Sequence, residues 1–66
     1  MAILKVIELL SESDQSWEAA AQNAVEKAGE TVKNIRSVFV QDQSATVSNG
    51  KIDKYRVNVK ITFEVR

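Results

Sequence analysis

The sequence contains no cysteine, no histidine and no proline, and its 66 residues include only two glycines, Gly29 and Gly50. Disulfides are therefore excluded, and so are the commonest structural zinc sites. The same absences remove the usual nucleophile and base pairs of covalent catalysis, and two isolated glycines cannot form a glycine-rich phosphate loop. This composition argues against an enzyme.

Neither sign of charge is in excess, because nine lysine and arginine residues balance nine aspartate and glutamate residues. No net field is therefore available to recruit nucleic acid or an anionic membrane. The longest apolar run, Val6 to Leu10, contains Glu8 and is too short to span a bilayer or to form the core of a signal peptide. We expect a soluble, cytoplasmic protein with no nucleic-acid or membrane partner.

The length predicts one small domain over residues 1–66. A domain of this size buries only about 60% of the surface that its unfolded chain exposes. Such domains are usually supported by disulfides, a structural metal or oligomerisation. With disulfides and the common zinc sites excluded, oligomerisation is the expected support.

The clearest local pattern is an unbroken alternation of apolar and polar residues from Tyr55 to Arg66. Successive strand side chains point to opposite faces, so this pattern predicts a strand with one dry and one wet face. Two further strands are predicted at Ile3 to Leu9 and at Ile35 to Val47, and the polar middle of the latter, Gln41 to Ser44, indicates an edge or a bend. The Asn-Gly pair within Ser48 to Lys51 predicts a type I′ hairpin joining the last two strands.

Between the first two strands, apolar residues recur at three- and four-residue steps, which predicts a helix from Asp14 to Val32. Most of these apolar residues are alanine, so the helix can lie close to a sheet. Ser13 is the predicted N-cap, with Asp14 near the positive end of the helix dipole. Cation binding by Glu12 and Asp14 is the alternative for this polar segment, although their spacing lacks the pattern and the glycine of a calcium loop.

The predicted fold is α+β, with a β-α-β-β subunit. A helical crossover returns the second strand parallel to the first, and the third strand inserts between them, antiparallel to both. The result is a three-stranded antiparallel sheet of order 1-3-2 that partly wraps one helix. A strand of about a dozen residues spans roughly 40 Å and a helix of about nineteen only about 28 Å, so the overhanging sheet is a predicted subunit interface.

Six parts of the sequence together form a pattern that extends over nearly the whole chain. They are Lys5 to Leu9, Ser16 to Ala20, Glu30 to Ile35, Gly50 to Ile52, Tyr55 to Val57 and Phe63. In this order, they resemble the dodecin family. The resemblance implies that twelve copies assemble with cubic symmetry into a hollow homododecamer. It also implies binding and sequestration of a flavin (riboflavin, FMN or FAD) without catalytic turnover.

The resemblance assigns three residues to the flavin pocket. Ser37 stands where flavin-binding dodecins carry a tryptophan that stacks on the isoalloxazine. Arg56 aligns with the family's glutamine that hydrogen-bonds to the flavin's polar edge, and Ser44 aligns with an arginine that meets a ligand phosphate in many bacterial members. Serine has no π surface, and arginine only donates whereas glutamine also accepts. These departures weaken the case for ordinary flavin binding.

The changes at Ser37 and Arg56 resemble a dodecin subgroup without the tryptophan, some of whose members bind calcium. A calcium-binding or purely structural assembly is therefore the alternative function. Calcium takes about six to eight oxygen ligands, and the residues do not single out a ligand set. The candidates are Glu8, Glu12, Asp14, Asp42, Asp53 and Glu64. Ordinary solvation, or pairing with nearby lysine and arginine residues, is the simpler explanation of the same acids.

The remaining residues that could carry chemistry have simpler explanations. Trp17, Tyr55 and Phe63 are predicted to be core residues rather than ligand platforms, because large aromatic side chains usually anchor cores. Glu8 and Glu64 form a carboxylate pair that could meet across the sheet, but two acids on a wet face are usually solvated.

Overall fold

The computed structural model describes residues 1–66 and contains three strands and one helix. They are β1 (Ile3–Ser13), α1 (Trp17–Ala28), β2 (Ile35–Ser48) and β3 (Lys51–Val65). The strands form one sheet of order β1-β3-β2, with β3 antiparallel to both neighbours. The predicted β-α-β-β fold and its strand order are confirmed. No helix has the length and apolar character needed to cross a membrane.

The central strand, β3, is the one with the strict alternation. Its residues Val57, Val59 and Ile61 are buried on the side that α1 covers. The hairpin from β2 turns at Asn49 and Gly50, whose positive φ angles of 54° and 76° fit the predicted type I′ turn. Because this turn leads directly into the ladder, β3 begins earlier than the alternation alone predicts.

The core is a layer of small helix residues on branched strand residues. Ala20, Ala24 and Ala28 of α1 are buried against β3, and their methyl groups let the helix lie close to the sheet. Trp17 packs edge-on against Tyr55 with ring centroids 4.9 Å apart and an interplanar angle of 74°. The predicted packing role of Trp17 is thus confirmed.

The helix is shorter than predicted at both ends. Strand β1 continues alongside the long β3 as far as Ser13, so Ser13 is a strand residue and its prediction as the N-cap is wrong. Ser16 is the N-cap, and its hydroxyl accepts a hydrogen bond from the Ala19 N–H at 2.9 Å. The helix ends at Ala28, and Asn34, with φ of 64°, precedes the start of β2.

Strand β2 is an irregular edge strand, as its polar middle predicts. Its register with β3 shifts between Ile35 and Ser37, between Val40 and Asp42, and once more near the hairpin. An extra residue moves the side chains that follow to the other face. Ile35 and Ser37, which simple alternation places together, therefore lie on opposite faces.

The sheet extends well beyond its helix, which confirms the predicted overhang. The subunit measures 51 × 20 × 13 Å, whereas a helix of this length spans only about 18 Å. Six of the 66 residues are buried, while eleven large hydrophobic residues stay exposed. Most of the apolar surface of the sheet is therefore left open in a single subunit.

Candidate functional site

The predicted site residues lie on the side of the sheet that faces away from α1, here called the outer face. Between β1 and β3, the outer face is formed by the cross-strand pairs Leu4–Glu64, Val6–Thr62, Glu8–Lys60, Leu10–Asn58 and Glu12–Arg56. On the other side of β3, the pairs are Thr62–Ser37, Lys60–Phe39, Asn58–Asp42 and Arg56–Ser44. The outer face thus combines exposed apolar side chains with charged and hydroxyl-bearing ones.

Arg56 is oriented by an ion pair with β1. Its Nε donates to Glu12 Oε1 at 2.6 Å, and both side chains are 40% exposed. Ser44 lies directly opposite Arg56 on β2. A guanidinium has five N–H donors, so those that Glu12 does not use can meet the oxygen atoms of a ligand. The structure therefore brings together two of the three predicted pocket residues.

Ser37 lies on the outer face at some distance from this pair. Its partner Thr62 is six residues along β3 from Arg56, which corresponds to about 20 Å of extended chain. A single ring system does not span that distance. A pocket that uses both Ser37 and Arg56 would therefore draw them from different copies of the chain.

Glu64 holds two arginines at the other end of the outer face. Its Oε1 accepts hydrogen bonds from Arg36 Nη2 at 2.6 Å and from Arg66 Nη2 at 3.4 Å. The hydrogen bonds from Arg36, and then that from Arg66, lower the pKa of the Glu64 carboxyl. Glu8 and Glu64, considered above as a carboxylate pair, do not meet, because the register places Glu8 opposite Lys60 and Glu64 opposite Leu4.

The acidic residues do not form a metal site within one subunit. A polar cleft of about 410 Å³ lies where β1 leads into α1, and its lining includes Glu12, Asp14 and Lys54. No three acidic side chains in the subunit come close enough together to hold a metal ion. Glu12 also forms an ion pair with Arg56, so one of the two carboxylates of this cleft already has a cationic partner.

Comparison with known proteins gives this arrangement a context. The family model of dodecin matches residues 3–66. The chain belongs to the dodecin family. It is 40% identical over 67 residues to calcium dodecin of Mycobacterium tuberculosis, a match that covers 100% of this chain and 93% of that protein.

Solved dodecin structures share this fold. The crystal structure of the M. tuberculosis calcium dodecin, a calcium-chelating antigen with a novel calcium-binding site, matches with a TM-score of 0.84 at 38% identity, over 97% of this chain and 91% of that one. A mutant of the Thermus thermophilus dodecin matches with a TM-score of 0.94 over 100% of this chain and 98% of that one. At 24% identity, the second likeness supports the fold alone.

Sequence reasoning missed the ion pairs that order the outer face of this dodecin, Glu12–Arg56 and Arg36–Glu64. The first depends on the register between β1 and β3, which no short turn connects, so no local signal gives it. Reasoning from sequence also overlooked Phe39. Its spacing of two residues from Ser37, with no register shift between them, is the signal that places both on one face.

Proposed function

We propose that this dodecin is a non-enzymatic binding protein whose copies assemble into a hollow homododecamer that sequesters a small molecule. The observation that carries the proposal is the open surface of the subunit, which buries six residues and exposes eleven large hydrophobic ones. Large exposed apolar surfaces mark protein–protein contacts, and further copies would cover the surface that one subunit leaves open. The number of copies follows from the dodecin resemblance.

Flavin is the ligand that the family implies, and its proposed pocket is an altered one around Ser37, Arg56 and Ser44. The free N–H groups of Arg56 suit the carbonyl oxygens of a flavin ring or an anionic tail. Ser37 supplies a hydroxyl in place of a stacking ring, which removes about 0.5 to 1.5 kcal/mol per aromatic pair. We therefore expect flavin to bind more weakly than in members that have the tryptophan.

Solution mass and riboflavin fluorescence test the two parts of this proposal separately. Native mass spectrometry is expected to give a twelve-subunit particle, and a well-folded single subunit at low concentration would contradict assembly. Riboflavin emission is expected to fall on addition of micromolar protein, and unquenched emission would contradict flavin binding.

A tryptophan substitution locates the flavin pocket. Ser37→Trp is expected to lower the riboflavin dissociation constant roughly threefold to tenfold, because it restores a stacking surface. Ser48→Trp makes the same change beside the hairpin turn and is the control, with no expected effect. Equal gains in the two variants would show that any added ring on this surface attracts the flavin.

A calcium-binding assembly is the second candidate, favoured by the 40% identity to a calcium dodecin. Of the six acidic candidates, Glu12 and Glu64 already hold arginines. Four have no ion-pair partner in the subunit: Glu8, Asp14, Asp42 and Asp53. Because no three acidic side chains converge within one copy, we propose that any calcium site combines carboxylates from neighbouring copies.

Thermal melting tests the calcium proposal. A ligand that binds only the folded state raises the melting temperature, so added calcium should raise it and a chelator should reverse the rise. Magnesium at the same concentration is the control for ionic strength. A melting temperature that is indifferent to calcium would remove this candidate and leave the flavin and purely structural roles.

A further inference from the structure

Only one aromatic ring lies on the outer face. The chain has four aromatic residues, and three of them lie on the side of the sheet that α1 covers. Trp17 and Tyr55 pack against each other, and Phe63 is half-buried opposite Ile35. Phe39, by contrast, is 61% exposed. Its ring is free to stack on a flat ligand, an arrangement that aromatic rings favour.

Phe39 lies between the two separated parts of the predicted pocket. It is two residues from Ser37 on the same face, a distance of about 7 Å along a strand. Its partner on β3, Lys60, is four residues from Arg56, or about 13 Å. A ring placed over Phe39 is therefore closer to Ser37 and to Arg56 than those two residues are to each other.

Lys60 gives this position a charge preference. It lies opposite Phe39 on one side and opposite Glu8 on the other. Its ammonium group nevertheless forms no ion pair with any carboxylate of the subunit. An ammonium has three donors and no acceptor, so it favours a ring whose edge carries carbonyl oxygens or negative charge.

We propose that Phe39 and Lys60 form the ring-binding part of the ligand pocket in this dodecin. Phe39 stacks on a flat heteroaromatic ring, and Lys60 donates a hydrogen bond to the acceptor atoms at its edge. The inference rests on the proposed binding function and identifies the side chains that take over from the tryptophan replaced by Ser37. The isoalloxazine ring of riboflavin, with its two carbonyl oxygens, has this chemistry and serves as the probe.

Riboflavin titration of the assembled protein and its variants tests the proposal. Phe39→Ala is expected to raise the dissociation constant roughly threefold to tenfold, since it removes the stacking surface. Phe39→Trp should lower it, and Lys60→Gln should raise it severalfold without removing the ring. Leu10→Ala is the matched control, because Leu10 is another exposed apolar residue of the outer face, at 56% exposure, and no change is expected.

Several results would overturn the proposal. The first is an equal riboflavin affinity in the parent protein and in Phe39→Ala, and the second is a loss of affinity in Leu10→Ala as large as that in Phe39→Ala. The third is the absence of quenching by a fully assembled parent protein. The fourth is binding of FMN without binding of riboflavin, which would point to a phosphate contact. Solution mass is recorded for every sample. A parent protein that remains a single subunit would show that assembly fails, and it would not count against the ring-binding residues. If Phe39→Ala dissociates the particle, assembled Phe39→Trp and Lys60→Gln decide, and unchanged affinity in both rejects the subsite.

Discussion

The two faces of the sheet share one alternating central strand, yet only the face toward α1 is covered within a single subunit. On that face, Val57 and Ile61 have no exposed surface. On the outer face, Leu4 and Leu10 remain 53% and 56% exposed. Both faces carry apolar side chains, so hydrophobicity alone does not distinguish them.

The difference between the two faces arises because the subunit has one helix, which covers only one of them. The 12 residues of α1 cover the middle of one face with alanine side chains, and the subunit has no second helix for the other. Apolar surface stabilises a protein only when it is removed from water, by about 25 cal/mol per Å². The buried core residues are therefore concentrated beside the helix, while apolar residues stay exposed on the outer face and on the parts of the helix side that lie beyond α1.

Truncating one large aliphatic side chain on each face of the sheet is the strongest test of this comparison. Ile61 is fully buried in the core, and we expect Ile61→Ala to lower the free energy of unfolding by about 2 to 5 kcal/mol through lost burial and a cavity. Leu4 lies on the outer face, has a side chain of the same size and is 53% exposed, so Leu4→Ala should cost much less. Urea denaturation followed by circular dichroism measures both.

Equal losses in Ile61→Ala and Leu4→Ala would contradict the comparison, because they would mean that the outer face is as well covered as the helix side. Measuring solution mass alongside unfolding shows whether an unexpected loss in Leu4→Ala comes from a subunit contact.

Most of the fold could be predicted because its strongest signals are local. The alternation of β3 and the Asn49-Gly50 turn lie within short stretches of chain, and both appear in the structure as predicted. The helix start could not be predicted as well, because Ser13 and Ser16 are equally good capping residues. The choice between them depends on how far β1 pairs with the distant β3.

The site was less predictable because its geometry depends on register. The family resemblance names Ser37, Ser44 and Arg56, but only the β2–β3 register shows that Ser44 faces Arg56 while Ser37 stands six residues away. The shift between Val40 and Asp42 lies between these positions. No residue type in that polar segment marks where the extra residue is inserted.

Trp17 links the start of the helix to the edge strand, and removing this link should have an intermediate effect on stability. Its Nε1 donates to the Ser44 carbonyl at 2.8 Å and so ties the start of α1 to β2. Trp17→Phe keeps an aromatic ring and loses this bond, which should cost about 0.5 to 1.5 kcal/mol of unfolding free energy. Tyr55→Phe is the control, because it keeps the ring that contacts Trp17, and it should be nearly neutral. A neutral Trp17→Phe would show that the bond does not fasten the helix.

Removing the ion pairs of Glu64 should have the smallest effect on stability, and that effect should depend on pH. Arg36 and then Arg66 lower the pKa of Glu64, so their contribution is fully present above the ordinary carboxyl pKa of 4.5 and is lost as pH falls through the lower folded value. Glu64→Gln should therefore lower the melting temperature at pH 7, and its gap from the parent protein should narrow toward pH 3. Glu8→Gln removes an unpaired carboxylate of the same face and should show a smaller gap at pH 7. A Glu64→Gln gap of the same size at both pH values would mean that the side chain stabilises the outer face by packing and not by its charge.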